Sequence, residues 1–404
     1  MNNNLTFSAS ERKVVLFACI FSAIGLAAID FITPSLPYIM ESLHVSQTQT
    51  KNLIIVYLIV LGVSQFFYGT FGDNHGRKKA MVIGIVIALI GLIISALSLN
   101  IYQLYLGRIV TAVGTASSPV IARSMIVDVF TNNLQKMKRG FSYFTVVSIL
   151  SPALAPIMGG VIQEYGSWHY SFLVLGLINV MLLFAIWKAM PESHQIPSIK
   201  KPLVEQLQSY ISVFNNFDFM FYSFFAALLF IYTIGFFNLS PYIFHILGFS
   251  PVQNAMFYLI YSVGIIVGAM TFSRILSKIN SYKLLFYLVV ILQLLFLFAA
   301  ISFYIFPQAS WLIGLFSAIL ALTCGILSPL VMSLCLHGIT TNKGAYSAMQ
   351  GAIRMFFCGI GLIVGNVVIL KSFVQLIAIF EVIEVVMILS LLFKNRAQVL
   401  RFFR

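Results

Sequence analysis

The stretch Gly69-Thr-Phe-Gly-Asp-Asn-His-Gly-Arg-Lys-Lys79 connects two apolar runs, at about 51–71 and 80–99. A helix needs about 20 apolar residues to cross the hydrocarbon core of a bilayer, and both runs reach that length. Glycine adopts backbone conformations that other residues avoid, so Gly72 and Gly76 permit a sharp turn here. The stretch is therefore predicted to be a tight, basic loop between two membrane-spanning helices.

The same alternation of apolar runs and short polar gaps continues along all 404 residues. The chain is 60% hydrophobic, its mean hydropathy is +0.99, and only 9% of its residues are charged. Too few polar residues remain to cover a water-exposed surface, which excludes a cytosolic enzyme, a disordered chain and a secreted disulfide scaffold. The composition predicts an all-α membrane protein with twelve spanning helices, at about 14–38, 51–71, 80–99, 101–128, 140–163, 169–190, 219–246, 252–276, 283–306, 310–336, 344–370 and 372–393.

The basic residues lie mainly in alternate gaps between the apolar runs. With the N-terminus in the cytoplasm, 19 of the 24 lysines and arginines fall in cytoplasmic segments, and only Lys51 and Lys371 fall outside. Lysine and arginine accumulate on the cytoplasmic side of membrane proteins, so both termini are predicted to be cytoplasmic. The net charge of +13 thus reflects membrane orientation, and we expect no nucleic-acid partner.

The longest polar gap, at 191–217, divides the twelve runs into six and six. We predict an N-terminal six-helix bundle over 1–190, a cytoplasmic linker over 191–217, and a C-terminal six-helix bundle with a basic tail over 218–404. Within the linker, Val204 to Val213 is predicted to form a short amphipathic helix at the membrane surface. Two halves of this kind suggest a site near the middle of the membrane, between them.

The loop that opened this section has a recognisable spacing. Gly-x-x-x-Asp-x-x-Gly-Arg-(Arg/Lys) is matched by Gly69, Asp73, Gly76, Arg77 and Lys78. This spacing, placed between the second and third helices, resembles the loop signature of the major facilitator superfamily; a generic basic loop is the alternative. The resemblance implies the 12-helix fold of that superfamily. It also implies a charge network of Asp73, Arg77 and Asp128 that latches the two halves in an outward-open state.

Further stretches narrow the resemblance: Asp30-Phe-Ile-Thr-Pro-Ser-Leu-Pro37, Leu106-Gly-Arg108, Ser151-Pro-Ala-Leu-Ala-Pro-Ile-Met-Gly-Gly160 and Ser240-Pro241-Tyr242. They look like the bicyclomycin-resistance and chloramphenicol-type drug:proton antiporters. The third stretch resembles the antiporter motif of that family, carried here by Pro152, Pro156, Gly159 and Gly160. Proline frees a backbone carbonyl, and glycine allows close helix packing. The same residues also produce an ordinary kinked helix, which is the alternative to an antiporter motif.

Charged residues inside apolar runs are strong functional candidates, because each is costly in hydrocarbon. Asp30 lies about 10 Å from the outer end of the first helix, and Arg108 lies about 12 Å from the same side, so they share a depth. We predict that Asp30 carries the coupling proton and that Arg108 tunes its protonation. A static salt bridge that supports folding is the alternative.

A second set of charges approaches the midplane in the last two helices. Glu381 and Glu384 share one helix face, because they are three residues apart. We predict an intramembrane ion pair between Arg354 and one of these two glutamates, which would hold the twelfth helix on the eleventh. A structural role for this pair is favoured over proton transfer.

We expect a large and mostly apolar substrate cavity, which suits amphipathic ligands of varied shape. The candidate cavity residues are polar or aromatic side chains in four of the helices: Tyr57, Gln65, Asn238, Tyr242, Tyr258, Tyr261 and Arg354. The sequence has no phosphate-binding loop, so ATP drive is not expected. The four cysteines lie singly in apolar runs, so neither a disulfide nor a metal site is expected. No cofactor is expected beyond the proton as coupling ion.

With the resemblance, the sequence predicts a proton-coupled secondary transporter that exports amphipathic small molecules by alternating access, as multidrug efflux proteins do. An exporter or importer of one metabolite, such as a siderophore or peptide, is the alternative. A membrane-integral enzyme or a receptor is least favoured, because no nucleophile, base or metal cluster converges. We expect a monomer in a bacterial inner membrane, with the substrate, protons and the lipid bilayer as its partners.

Overall fold

The computed structural model describes residues 7–131, 133–193, 213–274, 281–307, 309–335 and 343–394. Within these ranges the chain is helical, without strands, and twelve segments are long and apolar enough to cross a membrane. The predicted twelve-helix fold is therefore confirmed. The helices are α1 (Ala9–Asp30), α2 (Leu36–Ser42), α3 (Gln47–His75), α4 (Arg77–Ala96), α5 (Ile101–Thr115), α6 (Ser117–Val129), α7 (Leu134–Tyr165), α8 (Trp168–Ala189), α9 (Phe217–Ile246), α10 (Pro251–Arg274), α11 (Ser281–Ile305), α12 (Ser310–Cys335), α13 (Lys343–Asn366) and α14 (Phe373–Lys394).

Two of the twelve spans are broken helices. The first span consists of α1 and α2, which are separated by a 3-10 turn at Thr33–Ser35. Pro34 and Pro37 lack the N–H groups that would continue α1, so the helix ends at Asp30. The fourth span consists of α5 and α6. The functional candidate Asp30 therefore lies at a helix break and not in the middle of a helix.

The two ends of the helix bundle differ in charge. At one end lie the start of α1, with Arg12 and Lys13, and the connection at Gly76, with Lys78 and Lys79; we call this the basic end. The opposite end, which we call the far end, carries the connections around residues 43–46, 97–100, 166–167, 247–250 and 367–372. The predicted surface helix at Val204 to Val213 falls almost entirely in 194–212, which lies outside the described residues.

We call helices α1–α8 the first half of the chain and helices α9–α14 the second half. In the first half α4 packs on α5 and α8, while α1 packs on α6 and α7. In the second half α10 packs on α12, α9 on α12 and α13, and α11 on α14. The halves meet where α3 packs on α13 and α7 packs on α10. A Cβ atom at Gly62 of α3 would lie only 2.7 Å from the backbone nitrogen of Phe356, so the small residue permits this close crossing.

Hydrogen bonds join the two halves at the far end. Lys51 is almost fully buried, and its Nζ donates to the carbonyl of Val368 at 2.7 Å. This residue was predicted to lie in an outer loop. Further bonds across this boundary include Leu370 N to Gln47 Oε1, Ser250 Oγ to Glu164 Oε2, His245 with Glu41, and Thr50 with Tyr242. The space between the halves is therefore closed from the far end in this conformation.

Candidate functional site

Asp30 is the last residue of α1 and lies where the two halves meet. Its side chain is 2% exposed, and its Oδ1 has no hydrogen-bond partner among the described residues. Its backbone carbonyl accepts a hydrogen bond from Thr33 Oγ1 at 2.7 Å, which fixes the helix break. The carboxyl group lies within electrostatic range of Arg108 in the first half and of Tyr258 and Cys358 in the second. Asp30 thus faces the side chains past which the two halves would move.

Arg108 is fully buried beside Asp30, as the matched depth predicted. Its Nη1 donates to the carbonyl of Ala28 at 2.9 Å, and its guanidinium carbon lies 4.0 Å from the ring centroid of Tyr57. Its Nε and Nη2 have no hydrogen-bond partner among the described residues. No ion pair joins Arg108 to Asp30, so the static salt bridge is not formed in this conformation. The two charges interact across a gap instead.

Tyr57 is held in place beneath Arg108 by a short chain of hydroxyl contacts. Its hydroxyl lies 2.6 Å from Thr115 Oγ1, and Thr115 in turn donates to the carbonyl of Thr111 at 2.9 Å. The aromatic face therefore has a fixed orientation. A guanidinium over such a face gains a cation–π attraction, which offsets part of the cost of burial.

The other predicted cavity residues do not all reach one cavity. Tyr258 contacts Ser240 Oγ at 3.2 Å and lies near Asp30, whereas Tyr261 contacts Thr233 at 2.9 Å inside the second half. Tyr242 contacts Thr50 and belongs to the closed far end. Asn238 is buried, and neither of its side-chain polar atoms has a hydrogen-bond partner among the described residues.

Gln65 and Arg354 lie on facing helices, α3 and α13. The guanidinium carbon of Arg354 lies 4.7 Å from the ring centroid of Phe230, and its Nε has no hydrogen-bond partner among the described residues. Arg354 is also within electrostatic range of Arg123 in the first half. A Cβ atom at Gly351 would lie 3.4 Å from Gln65 Oε1 and 3.3 Å from Arg123 Nη1. Sequence reasoning did not select Arg123, although its position inside an apolar run was a usable signal.

The predicted ion pair between Arg354 and a glutamate of the last helix is wrong. Glu384 accepts a hydrogen bond from the Tyr232 hydroxyl, and Glu381 accepts one from Gln293 Nε2. The physical reason is the packing of α14, which lies mainly against α11 and α9 and only slightly against α13. Its acidic face therefore points into the second half, away from Arg354.

The three charged residues of the predicted latch are in contact at the basic end. Arg77 Nη1 lies 2.6 Å from Asp73 Oδ1, and Arg77 Nε lies 2.7 Å from Asp128 Oδ2. Gly76 has φ +90°, a left-handed conformation that favours glycine and starts α4 directly after α3. Gly69 lies in the last two turns of α3, before this connection.

Glu192 is a further member of this cluster that sequence reasoning missed. Its two carboxylate oxygens accept hydrogen bonds from the backbone N–H groups of Arg77 and Lys78, at 2.8 and 3.1 Å. The start of α4 has no capping side chain of its own, because its N-cap residue is Gly76. Glu192 therefore supplies the cap from a remote part of the chain.

The predicted antiporter motif lies on α7, where Pro152 and Pro156 are accommodated within a continuous helix. A Cβ atom at Gly159 would lie 1.8 Å from the carbonyl oxygen of Phe31, and one at Gly160 would lie 2.6 Å from that of Pro251. Gly159 thus lets α7 cross the broken first span next to Asp30. Gly160 lets it touch the second half, so the motif lies where the two halves meet.

This arrangement of helices has counterparts in a known protein family and in solved structures. A family model described as "Major Facilitator Superfamily" matches residues 15–366. Solved structures of the same architecture include the D-xylose-proton symporter and the nucleoside transporter NupG, each 14% identical to this chain. Their TM-scores are 0.71 and 0.72; the matches cover 95% and 94% of this chain, and 97% and 99% of theirs. At this identity the likeness shows the fold.

Several relatives carry names that refer to drug resistance. "Multidrug resistance protein D" of Escherichia coli is 24% identical over 204 residues, which are 50% of each chain. The "Bicyclomycin resistance protein homolog" of Haemophilus influenzae is 27% identical over 182 residues, 45% of each. "Chloramphenicol resistance protein CraA" of Acinetobacter baumannii is 23% identical over 280 residues, 68% of this chain and 67% of that protein. The chain spans about half the length of the first two relatives.

Proposed function

Since this chain belongs to the major facilitator superfamily and is a multi-pass membrane transporter rather than an enzyme, we propose that it exports amphipathic small molecules in exchange for protons. The observation that carries the proposal is Asp30: a buried carboxyl group with an unpartnered oxygen, at a helix break, between the two halves. Carboxyl groups inside membranes commonly serve as proton relays. The names of the relatives support the efflux class.

Alternating access follows from the way the halves meet. We propose that residues 1–190 and 218–404 are the two moving bodies, joined by the linker at 191–217. We place the basic end on the cytoplasmic side of a bacterial inner membrane. A structure closed at the far end then corresponds to a cytoplasm-facing conformation. The Asp73–Arg77–Asp128 cluster is formed within the first half in this conformation. To act as a latch it would gain a contact with the second half in the opposite, outward-open conformation. The transporter would act as a monomer.

Proton coupling has a simple electrostatic basis at this site. Arg108 favours the charged form of Asp30, while burial favours the neutral form. Arg108 is held by Ala28 and Tyr57 and not by Asp30, so a small movement between the halves would change this balance. Substrate binding and proton release can then be linked through one carboxyl group.

The test is flux into proteoliposomes with an acidic lumen. Labelled chloramphenicol and bicyclomycin are supplied outside, and we expect at least one to accumulate only while the pH gradient lasts. Asp30→Asn should reduce this to simple equilibration. The matched control is Asp218→Asn, because the Asp218 side chain is 72% exposed at the start of α9, far from the site. Accumulation that ignores both the gradient and Asp30→Asn would contradict the proposal.

A further inference from the structure

We propose that Arg123 and Arg354, one from each half, bind the anionic group of an amphipathic substrate. This inference rests on the proposed export function, and it names the chemical class that the transporter accepts. The site would lie between α6 and α13, on the basic side of Asp30.

The first observation is that two half-buried cations lie near each other across the boundary. Arg123 on α6 and Arg354 on α13 lie within electrostatic range, and like charges repel each other. A Cβ atom at Gly351, one turn before Arg354, would lie 3.3 Å from Arg123 Nη1. An anion bound between the two arginines would relieve this repulsion. The membrane-embedded glutamates do not accompany Arg354, because Glu384 binds Tyr232 and Glu381 binds Gln293.

The second observation is that Arg354 has unused hydrogen-bonding capacity. Its Nε is buried and has no hydrogen-bond partner among the described residues. A guanidinium group prefers planar, two-pronged contact with a carboxylate, sulfonate or phosphate. An anionic group that reaches Arg354 would therefore satisfy a donor that the folded chain leaves unsatisfied.

The third observation is the surface that surrounds the two charges. Phe230 lies 4.7 Å from the guanidinium carbon of Arg354, and Phe144 lies 6.0 Å from that of Arg123. Gly351 presents backbone where any other residue would crowd Arg123 and Gln65. The Gln65 amide and the two arginines, with aromatic rings beside them, suit a ligand that has one anionic group and an apolar body.

The depth of the pair fits entry from the basic end. Arg123 lies about 9 Å from the end of α6, and Arg354 lies about 16 Å from the start of α13. The far end is closed, so a ligand from the basic end would meet this pair before Asp30. Cys358 lies within electrostatic range of both Arg354 and Asp30, which places the anion site next to the proton site.

The test uses three fluorescent probes that share one dansyl ring system and differ in terminal charge. Dansylglycine ends in a carboxylate, its amide is neutral, and the dansyl derivative of ethylenediamine ends in an ammonium group. Equilibrium dialysis measures their binding to the full-length protein in phosphatidylcholine nanodiscs, with empty nanodiscs as the blank. No pH gradient is present, so the result does not depend on proton coupling.

We expect dansylglycine to bind about tenfold more tightly than the amide, which corresponds to one charge-assisted contact. Arg123→Gln and Arg354→Gln should each remove most of this preference by weakening dansylglycine binding much more than amide binding, and the remaining amide binding reports folding. Arg354→Lys keeps the charge and should keep part of the preference, which tests the site if Arg354→Gln does not fold. Lys13→Gln, which removes an exposed charge at the basic end, should change nothing.

Three results would overturn the inference. They are equal affinity for the three probes, equal weakening of acid and amide in both glutamine variants, and no saturable binding of dansylglycine. If gradient-driven flux of neutral compounds persisted alongside any of these, the proposed function would stand and only the anion site would fall. Conversely, anion-selective binding without proton-driven flux would retain the site and reject the coupling.

Discussion

The guanidinium carbon of Arg108 lies 4.0 Å from the ring centroid of Tyr57, so this fully buried cation rests on an aromatic face and not on a carboxylate. Asp30 is close enough to sense the charge but keeps an unpartnered oxygen. This separation matters for the proposed mechanism, because a carboxylate locked in an ion pair could not readily take up and release a proton.

The first prediction concerns the aromatic support of Arg108. Tyr57→Leu removes the ring, and we expect proton-driven flux to fall at least tenfold, because a cation–π contact worth about 1–2 kcal/mol is lost. Tyr57→Phe keeps the ring and loses only the contact to Thr115, so flux should stay within about threefold of wild type. Initial rates in proteoliposomes measure both. Equal loss in the two variants would show that the hydroxyl, and not the ring, is essential.

The second prediction concerns the latch. Arg77→Gln breaks both contacts of the Asp73–Arg77–Asp128 cluster, which are already formed while the far end is closed. If the cluster binds the second half only in the outward-open conformation, that conformation should lose about tenfold in population. Tyr165 and Ile246 are both exposed at the far end, on opposite halves. In the distance distribution between spin labels at these two positions, the fraction with the short distance should increase. Lys79→Gln removes a neighbouring exposed charge and should leave the distribution unchanged. Identical distributions for Arg77→Gln and wild type would remove the latch role.

The third prediction concerns the helix crossing beside Asp30. Gly159→Ala would place a Cβ atom 1.8 Å from the carbonyl oxygen of Phe31, so α7 or the broken first span must move. Forced repacking of this kind costs about 1–3 kcal/mol. We expect a lower thermal midpoint in detergent and loss of flux. Gly176→Ala on α8 is the matched control, because no atom lies within 4 Å of its added Cβ. Equal behaviour of the two variants would contradict the close crossing.

The fourth prediction separates a structural from a proton-carrying role for Glu384. Glutamine at this position can still accept the hydrogen bond from Tyr232, so Glu384→Gln should fold normally and retain gradient-driven flux within about twofold. Glu384→Ala leaves the buried hydroxyl unpaired and should lower stability by about 1–3 kcal/mol. Thermal unfolding and flux are measured for both variants. Loss of coupling in a stable Glu384→Gln protein would identify a second proton carrier.

Much of the candidate site could be predicted from the sequence, because charged residues inside apolar runs are rare and easily identified. Asp30 and Arg108 were found by their position in apolar runs, and counting along the helices placed them at one depth. The contact of Arg77 with Asp73 and Asp128 was implied by the resemblance of the loop to the major facilitator signature. Glu192 was not predicted, because a carboxylate that caps a helix far away in the sequence leaves no local sequence pattern.

The sequence by itself determined the twelve spans and most of the charges inside them, because bilayer thickness dictates a minimum apolar length that can be read residue by residue. Only the tertiary structure decided which charges meet: Arg354 faces Arg123 and not the glutamates, and Arg108 lies on Tyr57. The physical reason is that lipid is as apolar as a helix interface. A spanning helix therefore carries little pattern to show which face turns inward, and its rotation is fixed by packing against its neighbours.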